Sequence, residues 1–189
     1  MNPKDLVLQV VVRPATLADA VSLGRVQLDS WHTTDGSYIK PQSWWARFSY
    51  DQRAEAWRTL LMSDRPVLAL TAEIEGDVIG FAWCERNGGE FPTFEVELSA
   101  IHLLPSARGQ GVGRKLMRET ARNLSELKFH SLLLWTGVLN ERAQAFYEEL
   151  NGTALGKKST DLGDFSFDEV AYGWSDLNLL IAPSSGKSV

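Results

Sequence analysis

The sequence has a single cysteine, Cys84, in 189 residues. No disulfide can form within the chain, which fits a reducing compartment. No apolar run approaches the ~20 residues that a membrane-spanning helix needs. Met1 to Gln9 carries Lys4 and Asp5 and only a short apolar stretch, without the features of a secretory leader. A cytoplasmic protein with no membrane partner is the expectation. Positive charge is also scarce. Against 24 Asp and Glu there are 19 Lys and Arg, a net charge of −5, which argues against nucleic acid and anionic membranes as partners. The three histidines, His32, His102 and His130, are far apart and lack metal-ligand spacing, so no metal is expected. Internal repeats, linkers and low-complexity blocks are absent, and the length suits one domain with a sizeable core.

What is present is ordinary in charge and rich in aromatics. Hydrophobic residues make up 44% and charged residues 23%, as in a typical globular domain. Seven Trp and eight Phe are enough to line a cavity as well as fill a core. Residues 7–13 are β-branched and short and read as a strand ending at Pro14. Thr16 is placed to cap a helix from Leu17, with Ala20, Leu23, Gly24 and Leu28 at helical spacing. Residues 30–42 read as a loop or broken helix, and 43–62 as one or two short helices. Residues 67–74 and 78–85 are apolar runs joined by Glu75-Gly76-Asp77, a hairpin signal, and 94–104 continue the series.

The period then changes. Val112, Leu116, Met117, Ala121 and Leu124 follow helical spacing, 131–138 form a strand, and 141–150 are helical until Asn151-Gly152. Strands over 155–160 and 168–174 close the series. The order β-α-α-β-β-β-α-β-α-β-β describes one mixed α/β domain. It occupies 9–181, between an N-terminal extension at 1–8 and a flexible tail at 182–189.

The segment Leu103-Leu104-Pro105-Ser106-Ala107-Arg108-Gly109-Gln110-Gly111-Val112-Gly113-Arg114 ends a strand and opens a helix on glycines. Glycines let backbone N–H groups approach a ligand closely. The first-turn amides of a helix have no internal partners and sit at the positive end of its dipole. Together they suit a phosphate or pyrophosphate. Arg114, Arg118 and Arg122 recur every four residues beside Lys115. They supply a local positive field on an acidic chain. A Walker loop needs Gly-x-x-x-x-Gly-Lys-Ser/Thr, which is absent. A dinucleotide fingerprint starting at Gly109 and Gly111 would need glycine where Arg114 stands. What remains is Arg-x-x-Gly-x-Gly after a strand and a proline.

At these residues the sequence resembles the GNAT superfamily of N-acetyltransferases, of bacterial type, through Arg108, Gly111 and Gly113. A second segment, Asn140-Glu141-Arg142-Ala143-Gln144-Ala145-Phe146-Tyr147, is similar to the family's Asn-x-x-Ala-x-x-Phe-Tyr. The likeness spans roughly residues 10–178. It departs at Asn151-Gly152, where many members have Gly-Phe. The resemblance implies a central sheet of about seven mostly antiparallel strands flanked by helices. It also implies acetyl-CoA as acyl donor and a primary amine of a small molecule or peptide as acceptor, attacked directly in a ternary complex. Dimers are frequent among such proteins, so a homodimer is a candidate assembly.

The resemblance also implies roles. Leu103, Leu104, Arg108, Gly109, Gln110, Gly111, Val112, Gly113, Arg114 and Asn140 would bind the cofactor. Leu103 and Leu104 would do so through their backbone, and a strand amide near His102 would meet the oxyanion. Tyr147 would contact the coenzyme sulfur and protonate the leaving thiolate; the alternative is a phenol that packs in the core and anchors the cofactor. Asn140 is otherwise a turn residue.

The amine must be neutral to attack, while a free alkylamine has a pKa of about 10. Glu97, on the strand leading to the motif, is the candidate base through a water, with Glu95 on its strand face and His102 nearby. It reads equally as a solvated or substrate-recognising carboxylate. Trp31, Tyr38 and Trp44, with Trp45, are candidates for the acceptor pocket or for core. Cys84, in an apolar strand, reads as an inert core residue. The competing function is a non-catalytic module that holds acyl-CoA as a sensor.

Overall fold

The computed structural model describes residues 9–34, 47–161, 163 and 166–181. Strand β1 spans Val11–Pro14, and residues 7 and 8 of the expected strand lie outside the described residues. It lies at one edge of the sheet, which is why Pro14 fits inside it. A 3-10 turn at Leu17–Asp19 leads into helix α1 (Ala20–Thr34). The Asp19 carboxylate accepts from the Thr16 amide at 2.7 Å and the Thr16 hydroxyl at 2.9 Å. It also pairs with Arg13 at 2.8 Å, so the start of α1 is tied to β1. Helix α2 (Tyr50–Leu61) begins at Ser49, whose hydroxyl accepts from the Gln52 amide while the Gln52 side chain accepts from the Ser49 amide.

Strands β2 (Pro66–Ile74) and β3 (Asp77–Arg86) form the expected hairpin. Glu75 (φ 52°) and Gly76 (φ 88°) are both left-handed, the two-residue turn that matches strand twist. Strand β4 (Val96–Leu103) starts after a tight turn in which the Phe94 amide donates to the Phe91 carbonyl. Helix α3 (Val112–Glu126), strand β5 (Leu132–Gly137), helix α4 (Glu141–Glu149), strands β6 (Thr153–Asp161) and β7 (Ser166–Trp174), and the short helix α5 (Asn178–Ile181) complete the chain. Among the described residues the expected element order is observed, with the short helix α5 as an addition.

The seven strands make one sheet in the order β1-β2-β3-β4-β5-β7-β6. Neighbours are antiparallel except β4 and β5. Strand alternation sends one set of side chains to each face. One face packs Leu70, Ile79, Cys84, Leu98, Leu132 and Trp174 against Leu116, Met117 and Leu124 of α3 and Leu180 of α5. The other packs Val78, Phe81 and Trp83 against Ala20, Leu23 and Val26 of α1 and Trp57 of α2. Gly24 lets α1 and α2 close on each other, because a Cβ there would lie 2.9 Å from the Ala54 nitrogen. Cys84 is fully buried, and desolvation pushes its thiol well above the ordinary range, as expected of an unreactive core thiol. Among the described residues no helix is long and apolar enough to cross a membrane.

Candidate active site

The parallel pair β4 and β5 is joined only at Val96 with Leu132 and Glu97 with Leu133. Beyond that point β4 continues to Leu103 and β5 to Gly137 without further pairing, so the sheet parts in its middle. Within β4 the backbone alternates. The Leu104 amide donates to the Ile79 carbonyl at 2.8 Å, and the Leu104 carbonyl accepts from Ala107 at 3.0 Å. Leu104 is therefore occupied by protein partners, contrary to the expectation of a free backbone there. The preceding residue, Leu103, turns its backbone the other way, into the gap. Gly80 on β3 allows this close packing, since a Cβ there would stand 2.3 Å from Leu103 Cδ2.

The glycine loop lies at the end of β4. Gly109 (φ 75°) and Gly111 (φ 78°) are left-handed, a conformation that disfavours a side chain. A Cβ at either would meet nothing within 4 Å, so the space above the loop is open. The Lys115 amide donates to the Gly111 carbonyl at 3.0 Å. The amides of Val112, Gly113 and Arg114 precede that first helical bond and have no partner inside α3. A Cβ at Gly113 would stand 3.3 Å from the Phe146 ring of α4 and 3.4 Å from Leu103 Cδ1 of β4, so the helix start sits close against both. Arg114 reaches Glu149 at 3.1 Å, and the Gln110 side chain bonds back to the Ser106 carbonyl.

The Arg108 guanidinium ties the loop back to α1 and β4. Nη2 donates to Ser30 Oγ at 3.2 Å, to the Ser30 carbonyl at 3.3 Å and to the Leu103 carbonyl at 3.3 Å. Buried Ser30 also meets His102 Nδ1 at 3.1 Å. This serine joins the loop arginine to a strand histidine. Sequence reading missed it, because its partners lie 72 and 78 residues away.

On the far side of the gap, Asn140 caps α4. Its Oδ1 accepts from the Ala143 amide at 3.2 Å. Tyr147 is 6% exposed and packs against Phe146, Tyr172 and Trp174. Burial pushes its phenol well above the ordinary range. No hydrogen bond holds its hydroxyl among the described residues, whereas Tyr172 donates to Glu148 at 2.8 Å.

Val96 and Leu98 point into the α3 face, so Glu97 points to the α1/α2 face. Ser99 is an extra residue in β4, because Trp83 pairs with Ala100 and Cys84 with Leu98. This bulge resets the alternation and puts His102 on the same face as Glu97. Glu97 is half-buried. Desolvation raises its pKa, Lys158 opposes this, and Glu85 and Glu169 add to it. Lys158 lies 3.9 Å from the Trp135 ring and 4.0 Å from Glu169. Glu95 does not share this face. It lies before β4, and its carboxylate accepts from the His130 amide at 2.6 Å. Of the expected pocket residues, half-buried Trp31 stands 6.2 Å from the His102 ring and 5.6 Å from Phe48. Tyr38, Trp44 and Trp45 lie outside the described residues. Among the described residues no three His, Cys, Asp or Glu side chains gather as metal ligands.

The acetyltransferase (GNAT) family profile matches residues 26–152. The chain belongs to the GNAT acetyltransferase family. A Bacillus subtilis relative, the uncharacterized N-acetyltransferase YuaI, is 28% identical over 171 residues, 90% of this chain and 96% of its own. The structure of Salmonella typhimurium YncA, solved with acetyl-CoA, is similar with a TM-score of 0.66 at 17% identity, covering 94% of this chain and 99% of that one. The Thermoplasma acidophilum PaiA N-acetyltransferase, in complex with coenzyme A, has a TM-score of 0.63 at 18% identity, covering 86% and 98%. At such identities the solved structures establish the shared fold. The family match makes this GNAT chain an acetyltransferase and gives its reaction class as acetyl transfer.

Proposed function

We propose that the chain transfers the acetyl group of acetyl-CoA to a primary amine of a small molecule or peptide, by direct attack in a ternary complex. The observation that carries this reading is the parted β4/β5 pair with a glycine-opened helix at its mouth. The two left-handed glycines leave room for a bulky anion beside the first-turn amides of α3, which precede its first internal hydrogen bond. When bound, acetyl-CoA supplies an acetyl group activated as a thioester. The amides of Gly109 to Arg114 hold the pyrophosphate, with the Asn140 side chain on the opposite bank. Arg108 stiffens the loop by tying it to α1. The inward amide of Leu103 takes the pantetheine arm, while its carbonyl is shared with Arg108.

Glu97 receives the amine's proton through a water, and its desolvation makes it a better base than an exposed glutamate. Tyr147 donates a hydrogen bond to the departing sulfur. Its raised pKa keeps the phenol protonated at neutral pH, as a donor must be. The test is free-thiol release from acetyl-CoA over a panel of amines, with thermal shift by acetyl-CoA against ATP and NAD. Stabilisation by acetyl-CoA with amine-dependent thiol release is expected. Binding without release above background hydrolysis, for every amine, would favour the sensor reading.

A further inference from the structure

Five described arginines meet a carboxylate: Arg13 meets Asp19 and Glu73, Arg58 meets Glu55, Arg65 meets Glu85, Arg114 meets Glu149 and Arg122 meets Glu119. Arg53 on α2 differs. Its Nε donates to Gln27 Oε1 at 3.0 Å, and Nη2 reaches the same oxygen. Trp57 Nε1 takes that oxygen too, at 2.9 Å. The guanidinium carbon lies 5.3 Å from the Trp31 ring and 5.7 Å from the Phe48 ring. One neutral oxygen and two aromatic faces are its partners, and no carboxylate meets it among the described residues. The group is half-buried, and desolvation lowers its pKa.

Removing a cation from water without an anion is costly, and cation–π contacts return only about 0.5–2 kcal/mol each. Gln27 takes the Nε and one Nη hydrogen, so further N–H groups of the fork remain to be matched by a planar anion. The location matters as much as the charge. Trp31, whose indole Arg53 flanks, also flanks His102, and His102 shares a sheet face with Glu97. A molecule lying along this face beside His102 would meet the cation on its helix side, with Glu97, further along β4, reached through water.

We propose that Arg53, framed by Trp31 and Phe48, is a specificity-determining residue that binds a carboxylate of the acceptor, so that the acceptor is an amine that also carries a carboxylate, such as an amino acid. This rests on the acetyl-transfer reading above. It also answers the net charge of −5, because an anionic acceptor needs a local cation to approach an acidic chain.

The test pairs free L-amino acids with their α-carboxamides, using thiol release from acetyl-CoA. For the amino acids that react, wild-type kcat/KM should exceed that of the carboxamide by about 30-fold or more, the scale of losing one partner of a desolvated charge pair. Arg53→Gln should collapse that ratio toward one, chiefly through KM, and Arg53→Lys should restore part of it. A structural role alone would lower the melting temperature and slow both substrates equally, leaving the ratio unchanged. Equal use of acid and carboxamide by wild type, which needs no variant, would overturn the assignment while leaving acetyl transfer intact. If no amine releases thiol, the acetyl-transfer reading fails separately. Equilibrium binding of N-acetyl amino acids and their amides then decides the subsite: carboxylate-dependent binding lost in Arg53→Gln supports it, and equal binding refutes it.

Discussion

Replacing Tyr147 by Phe separates chemistry from packing, because the structure predicts different consequences for each. The ring is 6% exposed and rests on Phe146, Tyr172 and Trp174. Phenylalanine keeps all of those contacts. The hydroxyl has no hydrogen bond among the described residues, so its removal forfeits none and relieves the desolvation of a polar atom. The stability change should stay within about 0.5 kcal/mol. Tyr172→Phe is the matched control. It removes the 2.8 Å bond to Glu148, worth about 1 kcal/mol, or roughly 2–4 °C in a domain of this size.

If Tyr147 assists the departing sulfur, its loss should lower kcat by roughly 100-fold or more, within the range of general acid catalysis. Tyr172→Phe should leave kcat near wild type. The assay is thiol release at saturating acetyl-CoA, with melting curves on both variants. A Tyr147→Phe enzyme with kcat within about twofold of wild type refutes the acid role. A large fall in its melting temperature refutes the claim of an unbonded hydroxyl. The raised phenol adds a further check: no basic limb below pH 9 should disappear in the variant.

Gly111→Ala places a Cβ at φ 78° over open space. It should cost about 1–2 kcal/mol of stability and weaken acetyl-CoA binding measured by titration; unchanged affinity would remove the loop from the cofactor site. The proposed base Glu97 would act deprotonated, so its raised pKa should set the acid limb of kcat/KM above the ordinary glutamate value of 4.5, and Glu97→Gln should abolish that limb. For stability the sign is the reverse of a paired carboxylate. Glu97 disfavours the fold once pH rises through its raised pKa, so Glu97→Gln should melt no lower than wild type at pH 7. Asp19 is the opposite case, held at about 2 chiefly by its hydrogen bond to Arg13. Its stabilisation is present above its unfolded pKa and lost as pH falls from about 4 to 2, so Asp19→Asn should cost on the order of 2 kcal/mol at neutral pH and flatten acid unfolding over that window.

Much of this protein was legible in the chain itself, for local reasons. Element order follows from hydrophobic period, Gly76 and Gly111 mark positions where only left-handed backbone suffices, and Asn140 and Ser49 mark helix starts. The Arg108 to Gly113 spacing marked a helix opened on glycines, the arrangement that the proposed phosphate-binding loop uses because that chemistry draws on consecutive backbone amides. Strand ends were less readable, since β4 starts where pairing partners begin, not where β-branched residues do.

What only the tertiary structure decided lies in contacts between distant segments. The same period-2 alternation that put Glu95 and Glu97 on one face in sequence is cut off where β4 begins, and the Ser99 bulge then brings His102 round to join Glu97. Arg108 carried the motif, yet its side chain is claimed by Ser30, 78 residues earlier. Arg53 gave no signal in a helix of ordinary polarity, and its significance came from two rings and one amide oxygen folded around it. A ligand that binds to backbone leaves its mark on glycine spacing. A ligand that binds to side chains gathered from several elements leaves none until those elements pack, and for that reason the proposed donor loop was legible in the sequence and the proposed acceptor subsite only in the fold.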